Sequence, residues 1–403
     1  MKPANILFLH QNFPGQYRDL APALAARGHK VRSLSIRRNA PLDGVASEVY
    51  APTRGTTRQA HPWAQDFETK ILRGEACAQA IARMAQGGFV PDIVCANPGW
   101  GEAMFVKDVL PDARLHLYLE FFYPTRGGDT GFDPEFAPDS VPARAHARSK
   151  RAAQLLSLDA MDSAVSPMRW QRDTFPAVYR DRIATCFDGV DTGIVRPDPA
   201  AVLEHEGRTF RAGQPIVTFV SRNLEPYRGY HVFMRALPKL LAEVPDAQVL
   251  IVGGDGVSYG AAPRDGVSFR KRFYDEVADR IDQARVHFLG TVPYPTFLKV
   301  LQVSAAHAYL TYPFVLSWSM IEAMAAGCLV VGSRTGPVEE VIRDGENGRL
   351  VDFFDADELA GTLAKALRDP AGQRSLRERA RATAIADYDL AACLARQIEL
   401  VEG

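Results

Sequence analysis

The sequence predicts an α/β fold with two doubly wound, Rossmann-like domains in tandem. A chain of 403 residues, 47% of them hydrophobic and 24% charged, is longer than one hydrophobic core usually covers. In both halves, short apolar segments with the length of buried strands alternate with amphipathic helical segments. This alternation predicts parallel sheets built from βαβ units, which bind ligands at the carboxyl ends of their strands.

The first half, residues 1–195, opens with a complete βαβ unit. Residues Asn5 to His10 are predicted to form a strand, Gln16 to Arg27 a helix that ends at Gly28, and Lys30 to Ser35 a second strand. Further strands are predicted at Asp92 to Ala96, Arg114 to Leu119, Ser163 to Ser166 and Ile183 to Phe187. We expect this half to be one domain.

A proline-bearing, charged stretch over residues 196–212 lacks sustained strand alternation and is predicted to be an interdomain linker. The second domain is expected over residues 213–380. Its predicted strands are Ile216 to Ser221, Gln248 to Gly253, Val286 to Gly290, Ala306 to Leu310 and Cys328 to Gly332, and its predicted helices include His231 to Glu243 and Ser319 to Ala326. Residues 381–403 are helical by composition and are expected to cross back to the first domain.

Composition excludes several classes of function. The 47 Lys and Arg residues balance 48 Asp and Glu residues, so no global field attracts nucleic acid. The five cysteines are scattered and never form a Cys-x-x-Cys pair, which favours reduced thiols in a cytoplasmic protein. No apolar run is long enough to predict a signal peptide or a membrane span.

The stretch from Thr311 to Gly332 has the most informative pattern, because a strand end leads through a loop into a helix and then into another strand. A helix that starts near Ser317, Trp318 and Ser319 presents backbone N–H groups and a positive dipole end, which suit a diphosphate. Glu322, one turn into the helix, is positioned to accept hydrogen bonds from a ribose. Ser319-x-x-Glu322 also fits a capping box, and the pattern alone favours neither interpretation.

The neighbouring motifs resemble those of the retaining glycosyltransferases of family four. The resemblance is carried by Ile321-Glu-Ala-Met-Ala-Ala-Gly327, Val330-Val331-Gly332-Ser333, Gly336, Glu340, Asp344-Gly-Glu-Asn-Gly-Arg-Leu-Val351, Ser221-Arg-Asn-Leu-Glu-Pro-Tyr-Arg-Gly229, Val252-Gly-Gly-Asp-Gly256, Val286-His-Phe-Leu-Gly290 and Asp188-Gly-Val-Asp-Thr192. In the first half it rests on Phe8 to His29, whose Phe-Pro-Gly-Gln loop is similar to that of a bacterial branch. The resemblance implies a GT-B fold, in which two Rossmann-like domains face a central cleft, and a nucleotide-sugar donor.

Several roles follow from the resemblance. Arg222 and Arg228 are expected to compensate the charge of the leaving diphosphate, although an ion pair of both with Glu225 is the alternative. Glu340 corresponds to a donor-site position, although it also fits a helix-start carboxylate.

Glycines at two loops are further candidates for the donor site. Gly253 and Gly254, after a strand, are expected to line the base or phosphate pocket or to form a turn. Gly15 either lets backbone approach the donor or is a simple turn glycine.

Two positions depart from the family pattern. The first of two glutamates that the family places seven residues apart is replaced by Phe314, so the choice of transferred sugar is not predicted. A histidine that many members carry after a first-domain strand is replaced by Glu120, which is the candidate catalytic residue of this domain.

No metal or other cofactor is expected. The nine histidines lack metal-ligand spacing, and Asp355-Ala-Asp357 fits a helix cap better than a metal motif. A basic cluster is formed by Arg144, His146, Arg148, Lys150 and Arg151. It either meets an anionic lipid or the inner membrane surface, or it is a solvated helix face, which such runs more often are.

The expected function is retaining transfer of a sugar from a UDP- or GDP-linked donor to a glycan, lipid-linked or other hydroxyl acceptor, in bacterial surface polysaccharide or glycoconjugate synthesis. The alternatives are a nucleotide-sugar epimerase or phosphorylase on the same fold and a nucleotide-sugar-binding subunit without activity.

Overall fold

The computed structural model describes residues 2–403 and divides them into two compact units. The first unit runs to Asp188 and includes Ala391–Gly403, and the second is Gly189–Leu390. Each unit contains one parallel β-sheet, of seven strands in the first and six in the second. The predicted class of two doubly wound α/β domains is therefore confirmed.

The first unit has a sheet in the order β3-β2-β1-β4-β5-β6-β7, and every neighbouring pair is parallel. Its strands are β1 Asn5–Leu9, β2 Lys30–Ser35, β3 Val45–Val49, β4 Ile93–Ala96, β5 Arg114–Tyr118, β6 Ser163–Ser166 and β7 Ile183–Thr185. The strand order reverses between β1 and β4, and this reversal makes the carboxyl ends of these two strands a natural ligand site.

Helices connect the strands of the first unit. They are α1 Leu20–Ala26, α2 Pro62–Gln86, α3 Val106–Val109, α4 Val141–Ser149, α5 Ala152–Ala160, α6 Arg169–Asp173 and α7 Ala177–Arg180. The helix predicted from Gln16 to Arg27 is shorter, because Gly15–Tyr17 forms a separate 3₁₀ turn. The core packs fully buried strand residues such as Leu7 and Leu117 against Ile81 of α2.

The second unit has a sheet in the order β12-β11-β10-β13-β14-β15, which is the Rossmann order with its reversal between β10 and β13. Its strands are β8 Val202–His205, β9 Arg208–Arg211, β10 Ile216–Asn223, β11 Gln248–Gly254, β12 Val286–Gly290, β13 Ala306–Tyr309, β14 Leu329–Ser333 and β15 Arg349–Val351. Its helices are α8 Tyr230–Glu243, α9 Phe269–Val277, α10 Tyr294–Gln302, α11 Trp318–Ala325, α12 Gly336–Glu339, α13 Ala356–Arg368 and α14 Arg374–Tyr388.

The prediction of an interdomain linker over residues 196–212 is wrong in one respect, because this stretch contains two strands. β8 and β9 pair as an antiparallel hairpin within the second unit. Leu203 and Phe210 of the hairpin are 3% exposed and pack in one cluster with Ile216 and Leu250 of the main sheet. The hairpin is therefore part of the hydrophobic core of this unit.

The last helix, α15 Leu390–Glu402, belongs almost entirely to the first unit. The Gln397 amide donates to the Phe187 carbonyl at 2.9 Å, and Arg27 forms a two-pronged ion pair with Glu402 at 2.7 and 2.9 Å. These contacts attach the end of the chain to the unit in which it began. Among residues 2–403, no helix combines the length and the apolar character needed to cross a bilayer.

Candidate active site

The strand-order reversal of the second unit places Arg228 in contact with the loop that leads into α11. Arg228 ends a short 3₁₀ turn after β10, and Thr311 follows β13. The Arg228 Nη1 group donates to Thr311 Oγ1 at 2.8 Å and to the Val315 carbonyl at 2.9 Å. Because β10 and β13 are neighbours in the sheet, their carboxyl ends place the guanidinium and the loop together.

Arg228 is a buried cation, with 7% of its surface exposed. Burial alone lowers the pKa of an arginine, but the phenols of Tyr309 and Tyr259 and the carboxylate of Glu225 outweigh it and raise the pKa of Arg228. The guanidinium carbon also lies 5.0 Å from the centre of the Tyr259 ring, a cation–π distance. Arg228 therefore stays charged, and its position is fixed by groups from three different segments.

Glu225 does not form the predicted alternative ion pair with the two arginines. Its carboxylate is fully buried and accepts the backbone N–H groups of Ser258, Tyr259 and Gly260 at 2.8, 3.2 and 3.1 Å. Among the residues that the structure describes, no ion pair joins it to Arg222 or Arg228. Arg222, the second-last residue of β10, is exposed, whereas Arg228 is buried, so the two arginines have different surroundings.

The start of α11 differs from the predicted capping box. Ser317 is the N-cap residue, and its hydroxyl accepts the Ser319 N–H at 3.4 Å. The Ser317 N–H in turn donates to the Tyr309 hydroxyl at 2.7 Å, which fixes the helix start beside the Arg228 network. The third helical residue is therefore Met320 and not Glu322, so the capping box starting at Ser319 is wrong. Trp318, at the first helical position, is 38% exposed.

Glu322 lies one turn into α11, as the sequence predicts. Its role as a ribose ligand stays a prediction. Its Oε1 accepts the Tyr294 hydroxyl at 2.8 Å, so α10 orients the carboxylate. Glu340 ends the short helix α12 at its C-cap position, while Glu339 occupies the first turn. The alternative of Glu340 as a helix-start carboxylate is therefore wrong.

Phe314 fills the position of the expected first glutamate with a buried ring, of which 7% is exposed. It packs edge-on against Tyr227 and Tyr259, with ring centres 5.6 and 5.1 Å apart, and Tyr312 lies 4.5 Å from Tyr227. These four rings form an aromatic cluster beside Arg228. Sequence reasoning missed this cluster, because only Tyr312 and Phe314 are near each other along the chain.

Gly253 and Gly254 are the last two residues of β11 and not a turn, so the turn alternative is wrong. A Cβ atom on Gly253 would lie 2.7 Å from Leu224, and one on Gly254 would lie 2.7 Å from the Asn223 side chain. The Leu224 N–H donates to the Gly254 carbonyl at 2.9 Å. Both glycines therefore allow the ends of β10 and β11 to approach closely, and their contact with a donor stays a prediction.

In the first unit, Gly15 lies against His10 at the carboxyl end of β1. Its backbone φ is +51°, and a Cβ atom there would lie 2.6 Å from the His10 ring. The Asn12 N–H donates to His10 Nδ1 at 3.1 Å, and burial lowers the pKa of His10 to about 4. The imidazole is therefore neutral at physiological pH. Only glycine fits this position, whether or not a ligand approaches it.

Glu120 follows β5 and lies near the strand-order reversal of the first unit. Its Oε2 accepts the Asn97 amide at 3.2 Å, and its carbonyl accepts the Gln171 amide at 2.7 Å. Its role as the candidate catalytic residue of this unit stays a prediction.

Sequence reasoning missed Glu102, which is 1% exposed and follows β4. The Tyr50 hydroxyl donates to Glu102 Oε1 at 2.6 Å, and burial raises the pKa of the Glu102 carboxyl. Its other oxygen has no hydrogen-bond partner among residues 2–403.

The other two charged motifs include residues that contact groups within their own units, and contact of the basic cluster with an anionic membrane stays a prediction. Asp355 is the N-cap of α13 and accepts the Glu358 N–H at 2.7 Å, so the helix-cap interpretation is confirmed. In the basic cluster, Arg151 donates twice to the Tyr123 carbonyl at 2.9 and 2.7 Å, and Arg144 is paired with Asp139. These members of the cluster are engaged within the first unit instead of extending from a uniform basic face.

Comparison with known protein families identifies the chain. A family model described as "Glycosyl transferase family 4 group" matches residues 27–195, and one described as "Glycosyl transferases group 1" matches residues 203–383. The chain belongs to glycosyltransferase family four. The two family-four matches together include most candidate residues, from Glu120 to Glu340, and leave Gly15 outside.

Relatives within family four cover parts of the chain. A phosphatidyl-myo-inositol mannosyltransferase of Mycolicibacterium smegmatis is 36% identical over 171 residues, which are 41% of this chain and 37% of the relative. A GDP-mannose-dependent α-(1-6)-phosphatidylinositol monomannoside mannosyltransferase of the same organism is 28% identical over 257 residues, 57% of this chain and 62% of the relative. The chain thus spans less than two thirds of the length of these relatives.

A solved structure matches over nearly the whole chain. The structure of Anabaena Alr3699/HepE in complex with UDP and glucose covers 99% of both chains with a TM-score of 0.72. The sequence identity is 16%, so this likeness shows the fold alone. The GT-B class predicted from the motifs agrees with it.

Proposed function

We propose that the protein transfers a sugar, with retention of anomeric configuration, from a UDP- or GDP-linked donor to a hydroxyl group of a glycan, lipid-linked or other acceptor. The observation that carries the proposal is Arg228, a buried cation that is hydrogen-bonded to the loop leading into the amino terminus of α11. A fixed cation and a helix amino terminus both attract a diphosphate.

In this proposal, Arg228 and the helix start near Ser317 stabilise the negative charge that grows on the diphosphate as the glycosidic bond breaks. Charges aimed at a developing charge lower the transition state more than the ground state. Arg222, exposed at the end of β10, supplies a second cation. The acceptor hydroxyl attacks from the face that the diphosphate leaves, and a diphosphate oxygen takes its proton.

Glu322 binds the ribose of the donor in this scheme. Its Oε1 accepts the Tyr294 hydroxyl, which orients the carboxylate, and a carboxylate is a strong acceptor for the hydroxyl groups of a ribose. The named relatives use phosphatidyl-inositol acceptors and, in one case, GDP-mannose, so mannosyl transfer in bacterial surface glycoconjugate synthesis is the substrate class that we propose.

Calorimetric titration with UDP, GDP and ADP tests the donor site. We expect one nucleoside diphosphate to bind, and Arg228→Ala to weaken its binding roughly 10- to 100-fold, the loss of one charge-assisted hydrogen bond. Arg228→Lys keeps the charge and is expected to recover part of the affinity. Arg235→Ala, which removes a half-buried arginine of α8 that is paired with Glu276, is the control. If the wild-type protein bound none of the three nucleotides, this result would contradict the proposal.

Product analysis separates transfer from the alternatives. With the donor sugar and no acceptor, a transferase gives at most slow release of free sugar, whereas an epimerase gives an isomerised donor. A binding subunit would bind nucleotide normally and give no product with any acceptor. Glycoside formation that is lost in Arg228→Ala and kept in Arg235→Ala would support transfer.

A further inference from the structure

The second unit contains a cavity of about 530 Å³ that is lined by positive charge. Arg374, Arg377 and Arg381 of α14 line it, together with Pro197 and Gly327. Their spacing of three, four and seven residues places the three guanidinium groups along one face of the helix. We call this feature the arginine cavity.

The charges of the arginine cavity are not balanced by acidic side chains. Glu378 is the acidic residue that lines it, and among the described residues it forms no ion pair with the three arginines. Arg196 adds a further positive charge nearby. Burial, and then the charge of Arg196, lower the pKa of Arg381. Like charges gathered in this way are unfavourable unless an anion compensates them.

Two of the arginines also have a structural role. Arg377 Nε donates to the Gly327 carbonyl at 2.6 Å, and Arg381 donates to the Ala325 carbonyl and to the Val195 carbonyl, the latter at 3.2 Å. Cations at the carbonyl end of a helix such as α11 are favourable. Capping nevertheless explains neither the cavity nor Arg374, whose exposed side chain makes no hydrogen bond within residues 2–403.

From these observations we infer that the arginine cavity is an anion site that binds a small phosphate-bearing molecule. Each guanidinium has five N–H donors in a planar fork, which matches the oxygens of a phosphate, and the carbonyl contacts of Arg377 and Arg381 use only some of them. A volume of about 530 Å³ is in the range of small-molecule sites, roughly 300–1,000 Å³.

This site is distinct from the candidate donor site. Arg228 contacts the loop before α11, whereas Arg377 and Arg381 hold carbonyl groups at and after its last residues. The eight residues of the helix separate the two by about 12 Å at 1.5 Å per residue. The inference does not depend on the proposed function, because it uses none of the same residues.

Calorimetric titration of the full chain with sodium pyrophosphate tests the inference. Arg374→Ala removes the guanidinium that has no internal bond, so the variant is expected to fold. We expect it to lose one pyrophosphate site or to weaken that site roughly ten-fold or more. Arg379→Ala is the matched control, since Arg379 is an exposed arginine on the same helix that does not line the cavity.

Three results would overturn the inference. The first is pyrophosphate binding that is the same in wild type and Arg374→Ala, and the second is equal weakening by Arg374→Ala and Arg379→Ala, which would indicate general attraction to the surface. The third comes from flotation with phosphatidylglycerol vesicles. If Arg374→Ala abolished vesicle binding while pyrophosphate bound to neither protein, the cavity would recognise a lipid surface and not a small molecule.

Discussion

Acidification should destabilise the second unit through His307, a residue of β13. His307 is fully buried, its Nδ1 lies 2.8 Å from the Thr218 hydroxyl, and its Nε2 has no partner among residues 2–403. Burial lowers the pKa of His307 from 6.5 to about 4. The folded state therefore binds fewer protons than the unfolded state between these two values.

The sign and size of the effect follow from proton linkage. Because the folded pKa is the lower one, the stability contribution is fully present above pH 6.5 and is lost as the pH falls toward 4. At 1.36 kcal/mol per pKa unit, the loss is about 2 kcal/mol at pH 5 and about 3 kcal/mol at pH 4. That is a large part of the stability of an ordinary domain.

Urea denaturation at several pH values between 4 and 7.5 measures this effect, with fluorescence as the probe. The variant His307→Gln has no titrating ring, so its free energy of unfolding should fall about 2 kcal/mol less than that of the wild type between pH 7 and 5. Comparing the slopes of the free energy of unfolding against pH, and not its absolute values, removes the constant cost of the substitution. Thr218→Val keeps the buried ring but removes its hydrogen-bond partner, so its slope should stay steeper than that of His307→Gln without having to equal that of the wild type. Identical slopes in wild type and His307→Gln would refute the reasoning.

Three other substitutions give tests of the same structure by urea denaturation. Glu225→Ala leaves the N–H groups of the loop 258–260 without their acceptor and should cost at least about 3 kcal/mol, with faster amide exchange in that loop; unchanged exchange would contradict this role. Gly229→Ala should lower the free energy of unfolding by about 2–5 kcal/mol, since φ is +67° and the new Cβ atom would lie 2.3 Å from Leu310. Gly207→Ala is the control, because there the added atom meets nothing within 4 Å; a smaller loss for Gly229→Ala than for Gly207→Ala would argue against the prediction. Glu102→Gln should gain stability relative to wild type as the pH rises from about 4.3, the ordinary pKa of a glutamate. Burial raises the pKa of the Glu102 carboxyl in the folded state, so the wild-type protein must hold a proton there that the unfolded chain has released, whereas glutamine does not titrate. A difference in the free energy of unfolding between the two proteins that is the same at every pH would contradict this prediction.

Most of the main sheet strands could be predicted because they are buried on both faces. Ile6, Leu7 and Phe8 are fully buried, and such continuous apolar runs are characteristic of central parallel strands. β3 was not predicted, since it is an edge strand in which Val45 is buried and the next four residues are exposed. An edge strand of this kind has no apolar run and little alternation.

The candidate site was less predictable, because its contacts join distant segments. The sequence indicated Arg228 as a cation near a strand end, but its partners Thr311 and Val315 lie more than 80 positions away. Two serines two residues apart, Ser317 and Ser319, both fit an N-cap, and only the backbone geometry distinguishes them. Glu225 was paired with the wrong group, since its real partners are backbone N–H groups, which no side-chain pattern indicates.

The hairpin of β8 and β9 determines where the second unit can be excised for separate study. A recombinant fragment that starts at residue 213 would lack Leu203 and Phe210 and would expose the apolar surface around Ile216 and Leu250 to water. Such a fragment is expected to aggregate, whereas one that spans Gly189–Leu390 retains its own hydrophobic covering. Fragment boundaries taken from the apparent loop character of residues 196–212 would therefore cut through the interior of the unit.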